Sequence, residues 1–145
     1  MGLNRAIDIS VSGIESQRIT QELIASNLAN LNSTRTIYGG PYRRKFAVME
    51  EKPLVFAEFL ASASSKYDTG GGVEVVKIEE DDMTPFPKVY NPSHPDADKQ
   101  GFVSMPNVNL ANERLAMMDA SKVYDANIAA FNATKKMMQD ALQIQ

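Results

Sequence analysis

The 145-residue chain has no cysteine, no tryptophan and a single histidine, His94. The absence of cysteine excludes a disulfide framework, a thiolate zinc site and a thiol nucleophile together. One histidine excludes a multi-histidine metal centre and leaves a serine–histidine–aspartate triad only one candidate base. No run of about 18 apolar residues is present to cross a bilayer, so direct membrane insertion is not expected. The start of the chain lacks the uninterrupted apolar stretch of a cleavable secretory signal, because Arg5, Asp8, Ser10, Ser12 and Glu15 break it. The expectation is a chain that stays in the cytoplasm or leaves by a route that does not read such a signal. A net charge of −3 supplies no broad basic surface, which argues against bulk nucleic-acid binding.

Proline is absent from both ends. All seven prolines lie between Pro41 and Pro106, and six of the eight glycines lie between Gly39 and Gly101. Proline-free ends of 40 and 39 residues can each carry a long helix. In the C-terminal segment Leu110, Met117, Tyr124, Phe131 and Met138 recur every seven residues, with Ile128 and Leu142 four residues after Tyr124 and Met138. Ala120, Asn127, Thr134 and Ala141 follow three residues behind the heptad positions. This spacing predicts an amphipathic helix over 110–143, with Asn109 as its N-cap and Glu113 near its first turn. Arg114 and Lys135 fall on one flank of the stripe, so several partner surfaces are expected rather than one clean two-stranded seam.

The N-terminal stripe is Leu3, Ile7, Val11, Ile14, Ile24, Leu28 and Leu31, interrupted by Gln17, Arg18 and Gln21. Gly13 costs a helix interior roughly 1 kcal/mol; it is either a tolerated imperfection or a point of close approach by a neighbouring helix. The helix should stop in the cap-forming run Asn30 to Thr34. Between the helices, Phe46–Met49, Gly72–Ile78 and Lys88–Tyr90 read as strands, Leu54–Ala63 is ambiguous, and 62–72 and 79–87 read as turns or loops. The expected fold is α+β. Residues 1–33 and 107–145 form long amphipathic helices packed as a coiled-coil-like core, and 34–106 form a small β-rich middle module.

Two helices cannot cover each other's stripes completely, and exposed apolar surface of this size marks an interaction site. The residues expected at an assembly core are Ile7, Val11, Ile14, Ile24, Leu28, Leu110, Met117, Tyr124, Ile128, Phe131, Met138 and Leu142. Catalytic and cofactor readings are weaker. His94 sits between two prolines in a loop-like segment with no second catalytic component at useful spacing. Gly70-Gly71-Gly72 lacks the Lys-Ser/Thr of a phosphate loop. Glu79-Glu80-Asp81-Asp82 lacks the alternating ligands and glycine of a calcium loop. No catalytic, cofactor or metal residue is therefore assigned. Residues 33–52 carry five basic against two acidic side chains, whereas 53–100 carry four against nine. The basic collar around Arg43-Arg44-Lys45 is expected to pair with acidic residues of a neighbouring subunit.

Ser12-Gly13 with Gln17, followed by Ala25-Ser26-Asn27-Leu28-Ala29-Asn30-Leu31-Asn32, resembles the N-terminal signature of flagellar rod, hook and hook-associated proteins. Thr34-Arg35-Thr36, Gly39-Gly40-Pro41-Tyr42-Arg43-Arg44-Lys45, Val89-Tyr90-Asn91-Pro92-Ser93-His94-Pro95-Asp96-Ala97, Gly101-Phe102-Val103 and Met105-Pro106-Asn107-Val108-Asn109 narrow the resemblance to the proximal-rod members. Ala120-Ser121-Lys122-Val123-Tyr124-Asp125-Ala126-Asn127 completes it, and residues 50–85 match least. Leu31 departs from the small residue usual in relatives. The resemblance implies a non-enzymatic axial subunit of the basal body. It would be exported unfolded by the flagellar type III apparatus and would assemble with its own copies, other rod subunits and the basal-body adaptor into a helical tube. That tube would carry motor torque across the periplasm. Another axial subunit of the same family is the alternative.

Overall fold

The computed structural model describes residues 2–52 and 71–143, and the structural statements below concern those residues. Helix α1 spans Gly2–Ala29 and helix α2 spans Leu110–Gln143. Between them lie strands β1 (Lys45–Glu51), β2 (Val73–Glu80), β3 (Lys88–Tyr90) and β4 (Phe102–Ser104). This is an α+β fold with two long terminal helices and a small middle sheet module. The ambiguous Leu54–Ala63 segment and Gly70 lie outside the described residues.

The ends of the helices follow from local chemistry. The Asn30 side-chain amide donates to the Ser26 carbonyl (2.9 Å), and Ser33 Oγ donates to Asn30 Oδ1 (3.0 Å), so the cap-forming run closes α1. At α2, Asn109 Oδ1 accepts from the amides of Ala111 (2.9 Å) and Asn112 (3.2 Å), the expected N-cap. With 34 residues, α2 is about 50 Å long.

Strands β1 and β2 form one two-stranded antiparallel sheet. Arg44 O accepts from Asp81 N–H (2.8 Å) at one end, and Gly72 O accepts from Lys52 N–H (2.9 Å) at the other. The sheet therefore runs longer than the two apolar segments that signalled it. Strands β3 and β4 pair antiparallel, with Lys88 opposite Ser104 and Tyr90 opposite Phe102. Strand β4 was not anticipated: its three residues lie between Gly101 and Met105-Pro106, and its pairing with β3 is a long-range contact that local pattern does not show. Two-stranded sheets are marginal alone in water and depend on the packing around them.

The chain divides into two compact units. The first takes residues 1–19, 48–77 and 121–145; the second takes 20–47 and 78–120. Each unit combines part of α1, part of α2 and part of the middle. In the first unit a Cβ on Gly13 would come within 2.8 Å of Asn127 Nδ2, so Gly13 marks a close approach of α1 and α2. In the second, Asn27 donates to Glu113 (3.1 Å). The most covered row of α2 is 113, 120, 127, 134, of which Glu113 and Asn127 meet α1. Glu113, Ala120 and Thr134 are buried and Asn127 is half-buried.

Candidate assembly surface

The second unit is closed by a polar cluster. Asn27 is fully buried, and its side chain satisfies all four of its hydrogen-bonding positions. Its Oδ1 accepts from Tyr42 Oη and from Lys45 N–H (both 2.9 Å), and its Nδ2 donates to Lys45 O (2.9 Å) and to Glu113 Oε2 (3.1 Å). The amide behaves as a peptide group that pairs with β1. Glu113, only 1 % exposed, accepts from Arg44 Nε (2.6 Å) through its other oxygen. Asn107, also buried, accepts from Arg44 N–H (2.8 Å) and donates to the carbonyls of Asp81 (2.8 Å) and Thr84 (3.3 Å). The same unit buries the apolar side chains Ile24, Tyr42, Val103 and Ala120.

The first unit has no such interior. Its buried side chains are Ser10, Ser16 and Thr134; no apolar side chain is buried among its described residues. Ser10 and Thr134 hydroxyls donate to carbonyls of their own helices, to Ala6 (2.9 Å) and Ala130 (3.0 Å), as small hydroxyl residues do inside helices. Ser12 Oγ donates to Ile9 O (2.7 Å) and accepts from Val73 N–H (3.1 Å), tying α1 to the start of β2. Gly72 allows that contact, because a Cβ there would collide with the Ser12 hydroxyl.

The expected assembly-core residues fall on either side of this contrast. In the first unit Ile7, Ile14, Tyr124, Ile128, Phe131 and Met138 are half-buried, while Val11 and Leu142 are exposed. In the second, Leu28 and Met117 are half-buried and Leu110 is exposed, whereas Ile24 is already covered by its own chain.

The basic collar pairs differently from expectation. Its partners are in the same chain: Arg43 meets Asp82 (3.1 Å), Lys45 meets Glu80 (3.4 Å) and Arg44 meets Glu113. Arg43 also lies over the Phe86 ring, 4.6 Å from its centre. Charge patterning showed that the collar needed carboxylates, but not that β2 with the loop after it, and the start of α2, bring them from within. The acidic run is engaged in turn. The carboxylate of Asp81 accepts from the Thr84 hydroxyl (2.7 Å) and from the amides of Thr84 (3.0 Å) and Met83 (3.1 Å). These bonds, the Thr84 hydroxyl first, hold its pKa below the ordinary aspartate value. Asp98 is lowered in the same way, first by the Phe102 amide and then by that of Gln100. His94 Nδ1 accepts from Asp96 N–H (3.1 Å), a bond within its own loop.

Comparison with known proteins gives the surface its context. The chain is 38% identical over 99% of its length to the flagellar basal-body rod protein FlgC of Borreliella burgdorferi, covering 98% of that protein. It is 39% identical over 96% of its length to FlgC of Bacillus subtilis (95% covered), and 37% over 99% to FlgC of Salmonella typhimurium (98% covered). Residues 99–144 match the family model described as flagellar basal body rod FlgEFG protein, C-terminal. The chain belongs to the FlgC family.

Several residues that carried the FlgC-like resemblance meet in the polar cluster: Asn27, Tyr42, Arg44 and Asn107, with Pro106 buried beside Asn107. Arg43 pairs with the loop after β2. Leu28 is half-buried, and Ala29 and Asn32 are exposed at the end of α1, where Asn30 caps the turn. Asn109 caps α2. Gly39 and Gly40 have φ of +83° and +77°, and with Pro41 they shape the loop into β1. Glu113 was missed as the centre of the cluster. Its one sequence signal is its place in the 113, 120, 127, 134 row, where a carboxylate stands in line with small residues.

Proposed function

We propose that the chain is a non-enzymatic structural subunit of the flagellar basal-body rod. Full-length identity to FlgC proteins supports this. The observation that carries it is the unfinished interior of the first unit: Ile7, Val11, Ile14, Tyr124, Ile128, Phe131, Met138 and Leu142 form helical apolar surface that its own chain leaves open. Such surface is covered when subunits associate. In the rod, 1–33 and 107–145 would be the axial-core helices and 34–106 the outward module. Contacts between different patches on successive subunits extend into a helical tube rather than closing. That tube would bind further copies, the other rod subunits and the basal-body adaptor, and would pass torque across the periplasm. Its delivery would be through the flagellar type III export apparatus, without cleavage; a chain without cysteine suits passage into an oxidising space.

Phe131→Asp tests the reading, because it places a charge in the proposed interface core. The variant should stay soluble with unchanged circular dichroism, yet be absent from purified basal bodies, and cells carrying it as their sole copy should not swim. Intact basal bodies and wild-type swimming would refute the assignment of this face.

A further inference from the structure

In the first unit the outer side of α1 carries an acidic row. Asp8, Val11 and Glu15 stand three and four residues apart on one helical face, and all three are exposed. With about 100° between successive residues, Val11 and Glu15 each lie about 160° round the helix from Gly13. Gly13 is where α1 approaches Asn127 of α2, so the acidic row points away from the chain's own α2. Among the described residues neither Asp8 nor Glu15 is in an ion pair, whereas Arg18 on the same side is already engaged within the chain.

The half-open face of α2 in the same unit carries the opposite sign. Lys135 is exposed and stands four residues after Phe131 and three before Met138, inside the apolar seam. Helical charges meet at spacings of three and four. Lys122 has Asp125 three residues on, and Lys136 has Asp140 four residues on. Lys135 has only Phe131, Asn132, Met138 and Gln139 at those spacings, so no carboxylate of its own helix answers it, and among the described residues it is in no ion pair. One face is thus apolar with an unanswered cation, and the other is an apolar residue between two unanswered carboxylates.

We propose that the Asp8–Val11–Glu15 row of one copy lies along the Tyr124–Phe131–Met138 seam of a second copy, with Lys135 between the two carboxylates. The inference rests on the rod-subunit reading and names one of its contacts. Charge selects this pairing: α1 against α1 would set carboxylates face to face, and α2 against α2 would do the same with lysines, both of which complementary surfaces avoid. Spacing agrees, because Asp8 and Glu15 are seven residues apart, the period of the seam itself. The two surfaces differ, so each docked copy still presents a free row and a free seam, and the contact propagates.

Charge reversal and its rescue test the contact. As the sole copy in the cell, Lys135→Glu should keep the circular dichroism of the wild type, yet its recovery in purified basal bodies should fall roughly tenfold, the effect of a like-charge contact. Asp8→Lys with Glu15→Lys should do the same. A chain carrying all three changes restores opposite signs and should return to wild-type recovery. That rescue reads a contact between molecules, because the acidic row faces away from the α2 of its own chain. Wild-type recovery of either charge variant, or a loss that the combined chain does not restore, would overturn the contact while leaving the rod reading intact. Absence of the wild-type chain from basal bodies would overturn both. A second readout uses the unaltered chain: a zero-length carbodiimide applied to wild-type basal bodies should give covalent dimers joined from Lys135 to Asp8 or Glu15, located by mass spectrometry. Dimers joined only through other pairs would count against the docking.

Discussion

The two units of this chain are built from the same two helices and differ in what fills them. The second encloses Ile24, Tyr42, Val103 and Ala120 around a polar cluster centred on Asn27 and Glu113. The first buries only serine and threonine side chains among its described residues and leaves its isoleucines, methionines and Phe131 partly open. Burial of apolar area is the main driving force of folding, so the second unit holds its shape from within, while the first leaves its apolar surface partly open, which is the surface we propose other subunits cover. The difference teaches that one amphipathic helix can be covered unevenly, its N-terminal part packed within the chain and its C-terminal part left half-open for the association we propose.

The sharpest way to break the comparison is at Glu113. Glu113→Ala strands Arg44 and one donor of Asn27 and should cost about 3 kcal/mol, the low end for breaking a buried pair because Arg44 is partly exposed. Urea unfolding of the isolated chain reads this, and Phe131→Asp in the same assay should cost less than about 1 kcal/mol, since its side chain is only half-buried. Equal losses would erase the contrast between the units.

A smaller effect separates packing from propensity in the first unit. Gly13→Ala gains roughly 1 kcal/mol of helix propensity but drives its methyl against Asn127. The single variant should therefore be no more stable than wild type, and Gly13→Ala with Asn127→Ala should exceed it by about 1 kcal/mol in thermal unfolding. A stable single variant would mean that the helices are not in contact there.

The smallest effect is at Asp81. Its folded pKa is lowered, so its bonds favour the folded turn above the ordinary aspartate value and are lost as pH falls through the lower, folded value. A carboxyl titration by NMR should place Asp81 below an unstructured aspartate, and Thr84→Ala should raise it. An unchanged midpoint in that variant would remove the Thr84 hydroxyl as the leading cause.

Much of the fold was legible beforehand. The heptad and the Asn109 cap mark α2 over the range observed, and the proline-free start marks α1. Strand β3 was visible as Lys88–Tyr90. The candidate site was legible only as a set of apolar residues. Periodicity says which face of a helix is apolar, not which neighbour receives it. The most covered row of α2 proved to be 113, 120, 127 and 134, one step around from the 117, 124, 131, 138 stripe. Ile24 belonged to the stripe yet is covered by its own chain. Asn27 read as part of the family's N-terminal signature, and nothing in its neighbours announces that its amide pairs with a strand 18 residues later.

The sequence alone determined the two helices, their caps and the excess of apolar surface, because period, capping and composition act over a few residues at a time. Only the tertiary structure decided which excess is spent inside the chain and which is left over. That division depends on where α1 meets α2 within each unit and on the return of β2 toward the basic collar. Both join residues tens of positions apart, where local patterns carry no information about partners.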